Sequence, residues 1–205
     1  MSGRFGNHVF RNLFWHVVAE RNNLYVEYER AEEIEQLLGW MLHRGRRGRL
    51  QHPSVYTSVT EANMMQVLTQ TVPLDQQLYS HPEFYGQTRE FCLFLRHYFE
   101  ERLLYPRVNV QPDSVWVHVR LGDVAELNPG WSYYHSVLQQ LTWVRGMVTS
   151  DSPEHEICQR LLTQYPQLTL APKAWNETQL IRTALTHSHM VLSQGTFSWC
   201  MGFLA

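Results

Sequence analysis

The chain holds no run of about 18 apolar residues, which excludes a membrane-spanning helix of ordinary length. Its start is polar, with Arg4 and no apolar stretch behind it, so no signal peptide is expected. Cysteine is scarce: Cys92, Cys158 and Cys200 are odd in number and widely spaced. That excludes a disulfide framework and fits buried thiols in a reducing compartment. Charged residues make up only 18% and the formal charge is −2. The balance lacks the basic excess of a general nucleic-acid binder. There is no Asp-x-Asp run and no Cys-x-x-Cys, and His187-Ser188-His189 is the one close histidine pair. A metal site is therefore not expected. No strand leads into Gly-x-Gly-x-x-Gly, and no glycine-rich loop carries the lysine of a phosphate-binding loop, which disfavours dinucleotide enzymes and Walker-type ATP binding. The expectation is a soluble intracellular, cytoplasmic protein with no membrane span, no nucleic-acid partner, no metal and no cofactor.

Apolar residues reach 44%, with seven Trp, ten Tyr and nine Phe, which is ample for a core. Val9 to Glu20 carries apolar residues at helical spacing, and Asn7 is placed to cap it. Asn22-Asn23 ends that helix, and Leu24 to Tyr28 reads as a strand. Helices are expected at 32–42 and 87–104, and a short strand at 55–60. Arg44 to Arg49 forms a basic, glycine-broken loop. The last ninety residues alternate: strand 114–120, helix 132–141, strand 144–149, helix 153–165 with Pro153 in its first turn, strand 168–171, helix 177–187, strand 189–193, and a helix from about Phe197. That alternation predicts an α/β fold with a parallel, doubly wound sheet. The prolines of Tyr105 to Pro112 mark a seam, giving domains at 1–110 and 111–205.

The run Val115-Trp116-Val117-His118-Val119-Arg120-Leu121-Gly122-Asp123 is a strand that stops at a Gly-Asp turn. Alternation points His118 and Arg120 the same way at its end. Open α/β sheets collect ligands at the carboxyl ends of their strands. A guanidinium fork suits phosphate oxygens, so Arg120 is a candidate for a nucleotide diphosphate. The simpler reading has Arg120 paired with Asp123 to close the turn and His118 a satisfied core residue. Arg4, Gly6 and Asn7 sit in a glycine-bracketed loop at a helix start, where N–H groups suit an anion or hydroxyl. Ser150, Asp151 and Ser152 each serve as a helix cap, or Asp151 accepts from the N–H edge of a purine. Ser193, Thr196, Phe197 and Ser198 lie in a turn rich in hydroxyls and backbone N–H groups, which suits phosphate. The plain alternative there is Thr196 capping an amphipathic helix.

In this order the motifs resemble glycosyltransferase family 11, the α-1,2-fucosyltransferases, within the superfamily that uses GDP-fucose. The Gly-x-x-Gly-Asn-Gln loop of that family is matched from Gly3 to His8, and its His-x-Arg-x-Gly-Asp signature from His118 to Asp123. Tyr133-Tyr134, Ser150-Asp151 and the run from Ser193 to Cys200 match its remaining motifs. His8, Leu121 and Cys200 depart from the family's Gln, Arg and Trp. The chain also stops at Ala205 where relatives continue, so a shortened carboxyl-terminal lobe is expected. The resemblance implies a GT-B-like fold of two Rossmann-like lobes with parallel sheets, an acceptor-side amino-terminal lobe, and the nucleotide sugar in the carboxyl-terminal one. It implies metal-independent, inverting transfer of L-fucose from GDP-fucose to a glycan acceptor. On that reading His118, Arg120, Asp151, Ser193, Thr196, Phe197, Ser198, Arg4 and Gly6 bind the donor. Arg120, Asp123, Glu126 and Asn7 serve the chemistry, with Asp123 or Glu126 as the base for the acceptor hydroxyl, the alternative being a base-free transfer of the proton to the departing phosphate. The alternatives are a non-catalytic nucleotide-sugar-binding protein and a sister transferase using another nucleotide sugar.

Overall fold

A computed structural model describes residues 5–45, 55–73 and 76–205. The chain is α/β with parallel sheets, and it divides into two compact units, residues 1–105 and 106–205. Among the described residues, no helix is long and apolar enough to cross a membrane.

The first unit is organised around α1 (Phe5–Asn22), which buries Val9, Phe10, Leu13, Phe14, Val17 and Val18 completely. α2 (Ala31–Leu38) ends at Gly39, whose φ of 79° supplies the left-handed turn that closes many helices. β1 (Val55–Val59), α3 (Met64–Thr69) and β2 (Gln76–Ser80) form one crossover, and β1 and β2 pair in parallel as a two-stranded sheet. α4 (Arg89–Arg102) starts where the Thr88 hydroxyl accepts the Phe91 N–H at 3.2 Å. Phe84 and Phe91 pack edge-on against Phe14, at 5.1 and 5.7 Å between centroids.

Two expectations fail in this unit. Residues 24–28 belong to no strand, although Leu24, Val26 and Tyr28 are half-buried and Tyr25 and Glu27 exposed. That two-residue period reports an extended segment lying on a surface, and it carries no information about a pairing partner. Val26 N–H is satisfied instead by Arg44 O at 3.2 Å. Asn7 lies inside α1 and does not cap it.

The second unit is an open sheet. β3 (Gln111–Val119), β4 (Arg145–Ser150), β5 (Leu168–Leu170) and β6 (His187–Val191) are all parallel, in the order β5-β4-β3-β6. α5 (Trp131–Gln140), α6 (Glu156–Gln164) and α7 (Glu177–Leu185) are the crossovers, and α8 (Thr196–Leu204) follows β6. The chain winds outward from β3 to β5, then returns to lay β6 on the other side of β3. The order therefore reverses between β3 and β6, and a crevice opens at the carboxyl ends of strands where it does so. Val115, Val117 and Val119 pack with Tyr134, Leu138, Cys158 and Leu161 on one face. Trp116 and His118 occupy the opposite face, where His118 meets Phe197 and Ser198.

β6 starts two residues earlier than expected because Ser188 is clasped to Ser114. Each N–H donates to the other's hydroxyl, at 3.1 and 3.0 Å. α6 starts later than expected. Pro153 precedes the helix, and the His155 ring nitrogen Nδ1 accepts the Ile157 N–H at 3.2 Å as its cap. Ser150, Asp151 and Ser152 thus do not cap α6. Nor does Thr196 cap α8, whose N-cap is Gly195 at φ 96°.

Candidate functional site

The carboxyl ends of β3, β4 and β6 bring together residues that are far apart in the sequence. Val119 pairs with Ser150, and Val117 with Val191, so the three strand ends lie side by side. Arg120 leaves the end of β3, Asp151 the end of β4, and the 193–198 turn follows β6.

Arg120 forms ion pairs with two carboxylates: Nη1 with Asp151 and Nη2 with Asp123. Asp151 also accepts the Leu121 N–H on Oδ1 at 2.9 Å. Both of its oxygens therefore face the β3 turn. Gly122 makes this approach possible, with φ at +37°. A Cβ added there would lie 2.5 Å from Asp151 Oδ2 and 3.2 Å from Arg120 Nη1. The two ion pairs use two of the guanidinium's five N–H donors, and three remain.

His118 is buried, and its Nδ1 is 2.5 Å from the Ser198 hydroxyl. The Phe197 ring stands against the imidazole, 5.4 Å between centroids. Burial pushes the His118 pKa down to about 4, so the ring is neutral at pH 7. The Ser198 hydroxyl is thus turned inward, as part of the packed face, and the simpler reading of His118 is the one observed. Thr196 is the first residue of α8 and is half-buried, and Ser193 lies beside the Tyr134 hydroxyl. Glu126 is exposed on the 3-10 helix Gly122–Leu127.

Sequence reasoning missed Asn128. Its Nδ2 donates to Arg120 O at 2.8 Å and its Oδ1 accepts the Gly130 N–H at 2.8 Å, so it pins the backbone of the arginine turn. The Tyr134 hydroxyl is 2.9 Å from the same Nδ2, and the Tyr133 hydroxyl donates to Leu192 O at 3.0 Å. The only signal available was the turn-forming run Asn128-Pro129-Gly130.

In the first unit, Arg4 lies outside the described residues, as does most of the arginine loop. Gly6 is buried in the first turn of α1, and Asn7 Oδ1 accepts from Gln87 Nε2 at 3.0 Å. Arg11 donates twice to Phe84 O, at 3.0 and 2.8 Å. A second buried imidazole lies further along α1. The His43 N–H donates to His16 Nδ1 at 2.9 Å, which leaves the proton on Nε2 to face the Tyr98 hydroxyl at 3.0 Å. Tyr98 in turn donates to Glu20 at 2.7 Å. Burial lowers the His16 pKa to about 4.

Among the described residues, no group of three His, Cys, Asp or Glu is arranged to hold a metal ion. Comparison with profiles of known protein families, with curated proteins and with solved structures returned no match.

Proposed function

We propose that the chain is an inverting glycosyltransferase of the α-1,2-fucosyltransferase type, which transfers L-fucose from GDP-fucose to a glycan hydroxyl. On this reading the two units are the lobes of a GT-B-like enzyme, and residues 106–205 bind the donor. One observation carries the proposal. Residues from three separate stretches, 118–123, 151 and 193–198, meet at the carboxyl edge of a parallel sheet where its strand order reverses.

The chemistry assigned to them is limited. Arg120 faces the diphosphate with its unused donors and stabilises the charge that grows on GDP as the sugar leaves. The backbone N–H groups at the start of α8 face the same anion, and no metal takes part. The acceptor oxygen forms its bond to the sugar's anomeric carbon while the bond from that carbon to the phosphate oxygen breaks. The acceptor proton passes to a carboxylate, Glu126 or Asp123. A second reading, a nucleotide-sugar-binding protein without turnover, draws on the two carboxylates already paired with Arg120.

A thermal-shift panel of GDP-fucose, GDP-mannose and UDP-glucose, followed by donor hydrolysis and transfer to glycan acceptors in EDTA, tests the proposal. A donor at 100 times its Kd should stabilise by about 2.7 kcal/mol. GDP-fucose stabilisation with fucose transfer in EDTA supports the enzyme, and Glu126→Gln should then slow transfer more than it weakens donor binding. Stabilisation without transfer supports the second reading. No shift with any nucleotide sugar overturns both.

A further inference from the structure

Two carbonyls lie just past the ends of β3 and β6. The strands finish at Val119 and Val191, and the next residues are Arg120 and Leu192. Each carbonyl is taken by a side chain in α5 or just before it. Arg120 O accepts from Asn128 Nδ2 at 2.8 Å, and the same amide donates to the Tyr134 hydroxyl at 2.9 Å. Leu192 O accepts from the Tyr133 hydroxyl at 3.0 Å. Consecutive helix residues point about 100° apart, which is how neighbours in sequence reach two different strand ends. α5 lies over both strands, since Tyr134 and Leu138 share a core cluster with Val119 of β3 and Val191 of β6.

Packing alone does not explain these hydroxyls, because phenylalanine would fill the same space. Tyr134 is fully buried, and a buried hydroxyl costs stability unless it is bonded. Burial pushes its phenol pKa up, so it stays an uncharged hydrogen-bonding group. Both hydroxyls are spent on turns that carry groups of the proposed donor site: Arg120 with Asp151 on one side, Ser193 to Ser198 on the other. The Tyr133 ring stands edge-on to the Tyr134 ring, 5.1 Å between centroids, so each braces the other.

We infer, on the functional reading above, that Tyr133 and Tyr134 are positioning residues that set the spacing of the two phosphate-facing turns, Tyr134 acting on Arg120 through Asn128 and Tyr133 on the 193–198 turn through Leu192. A diphosphate has to meet the guanidinium of one turn and the helix N–H groups of the other at once. α5 holds both turns in place beforehand. Without a hydroxyl, one turn has to be ordered by the ligand itself, and that ordering is subtracted from affinity.

Calorimetric titration of the full chain with GDP and with inorganic pyrophosphate tests this in wild type, Tyr133→Phe, Tyr134→Phe and Tyr165→Phe, with a thermal melt of each. Tyr165 is the control: its hydroxyl lies 2.7 Å from His135 Nδ1 in the same unit and bonds neither turn. Each variant keeps its ring and loses a hydroxyl, so all three should lose similar stability. Tyr133→Phe and Tyr134→Phe should bind both ligands about three- to tenfold more weakly, while Tyr165→Phe binds as wild type does. Tyr133 is only partly buried, so its variant carries the test if Tyr134→Phe does not fold. Wild-type affinity in either folded site variant, or an equal loss in Tyr165→Phe, overturns the inference and leaves the functional reading standing. No binding of GDP or pyrophosphate by wild type overturns the functional reading, and the positioning role with it.

Discussion

Gly122→Ala should be far more damaging than an exposed glycine substitution ordinarily is. Two effects add. The residue has φ +37°, a left-handed conformation that costs an L side chain about 1–2 kcal/mol. The new Cβ would also lie 2.5 Å from Asp151 Oδ2, so the carboxylate has to move. Moving it breaks the pair with Arg120 and uncaps the Leu121 N–H, at about 1–3 kcal/mol. The total is about 2–5 kcal/mol. Asp151→Ala alone should cost about 1–3 kcal/mol, and in that background Gly122→Ala should cost only its backbone share. Urea unfolding of the four proteins closes a double-mutant cycle, with an expected coupling of about 1–3 kcal/mol. Gly39→Ala is the control: φ is +79° and nothing lies within 4 Å, so only the backbone cost applies. A coupling under about 0.5 kcal/mol would mean that Asp151 does not depend on a bare residue at 122.

Arg120→Lys should lose GDP binding nearly as completely as Arg120→Ala, because a point charge reaches one partner where a fork reaches several; titration with GDP checks this, and a near-normal Lys variant would refute it. Two of the buried histidines predict acid sensitivity. His118 and His16 are each held near 4 against 6.5 in the unfolded chain, so the unfolded state binds the extra protons. Stability should be complete above about pH 6.5 and fall towards pH 4, by about 1.4 kcal/mol per pH unit for each histidine. Urea midpoints between pH 7 and 4.5 measure it, His118→Asn should flatten the part owed to the second unit, and a flat wild-type profile would contradict the burial argument.

What could be read in advance depended on whether a feature is local. β3 was legible because Val115 to Val119 is apolar or aromatic on both faces, as a central parallel strand requires. That 118–123, 151 and 193–198 each follow a strand was readable from alternation; that they meet depends on the strand order β5-β4-β3-β6, which alternation does not give. The orientation of single groups did not follow. Ser198 has a hydroxyl suited to a cap, a phosphate or a neighbour, and only the packing of α8 on β3 turns it to His118. Asp151 finds partners at 120 and 121, thirty residues earlier, through the pairing of β3 with β4. α3 and β2 went unread because they are short and buried mainly through Met64 and Leu68. The cap of α6 is a histidine, which does not belong to the usual capping set.

The position of β3 also bears on how the second unit comes to be made. A ribosome delivers β3 first and β4 some thirty residues later, but β6 and α8 come last. Until they arrive, the nascent sheet has one free edge along β3 and an uncovered face bearing Trp116 and His118. Such an edge is a template for unwanted pairing, and long-range parallel pairing is slow to form. The first four-fifths or so of the unit therefore waits, sticky and incomplete, for β6 and α8, and a nascent chain halted near residue 186 is the form in which a holding chaperone has most to grip.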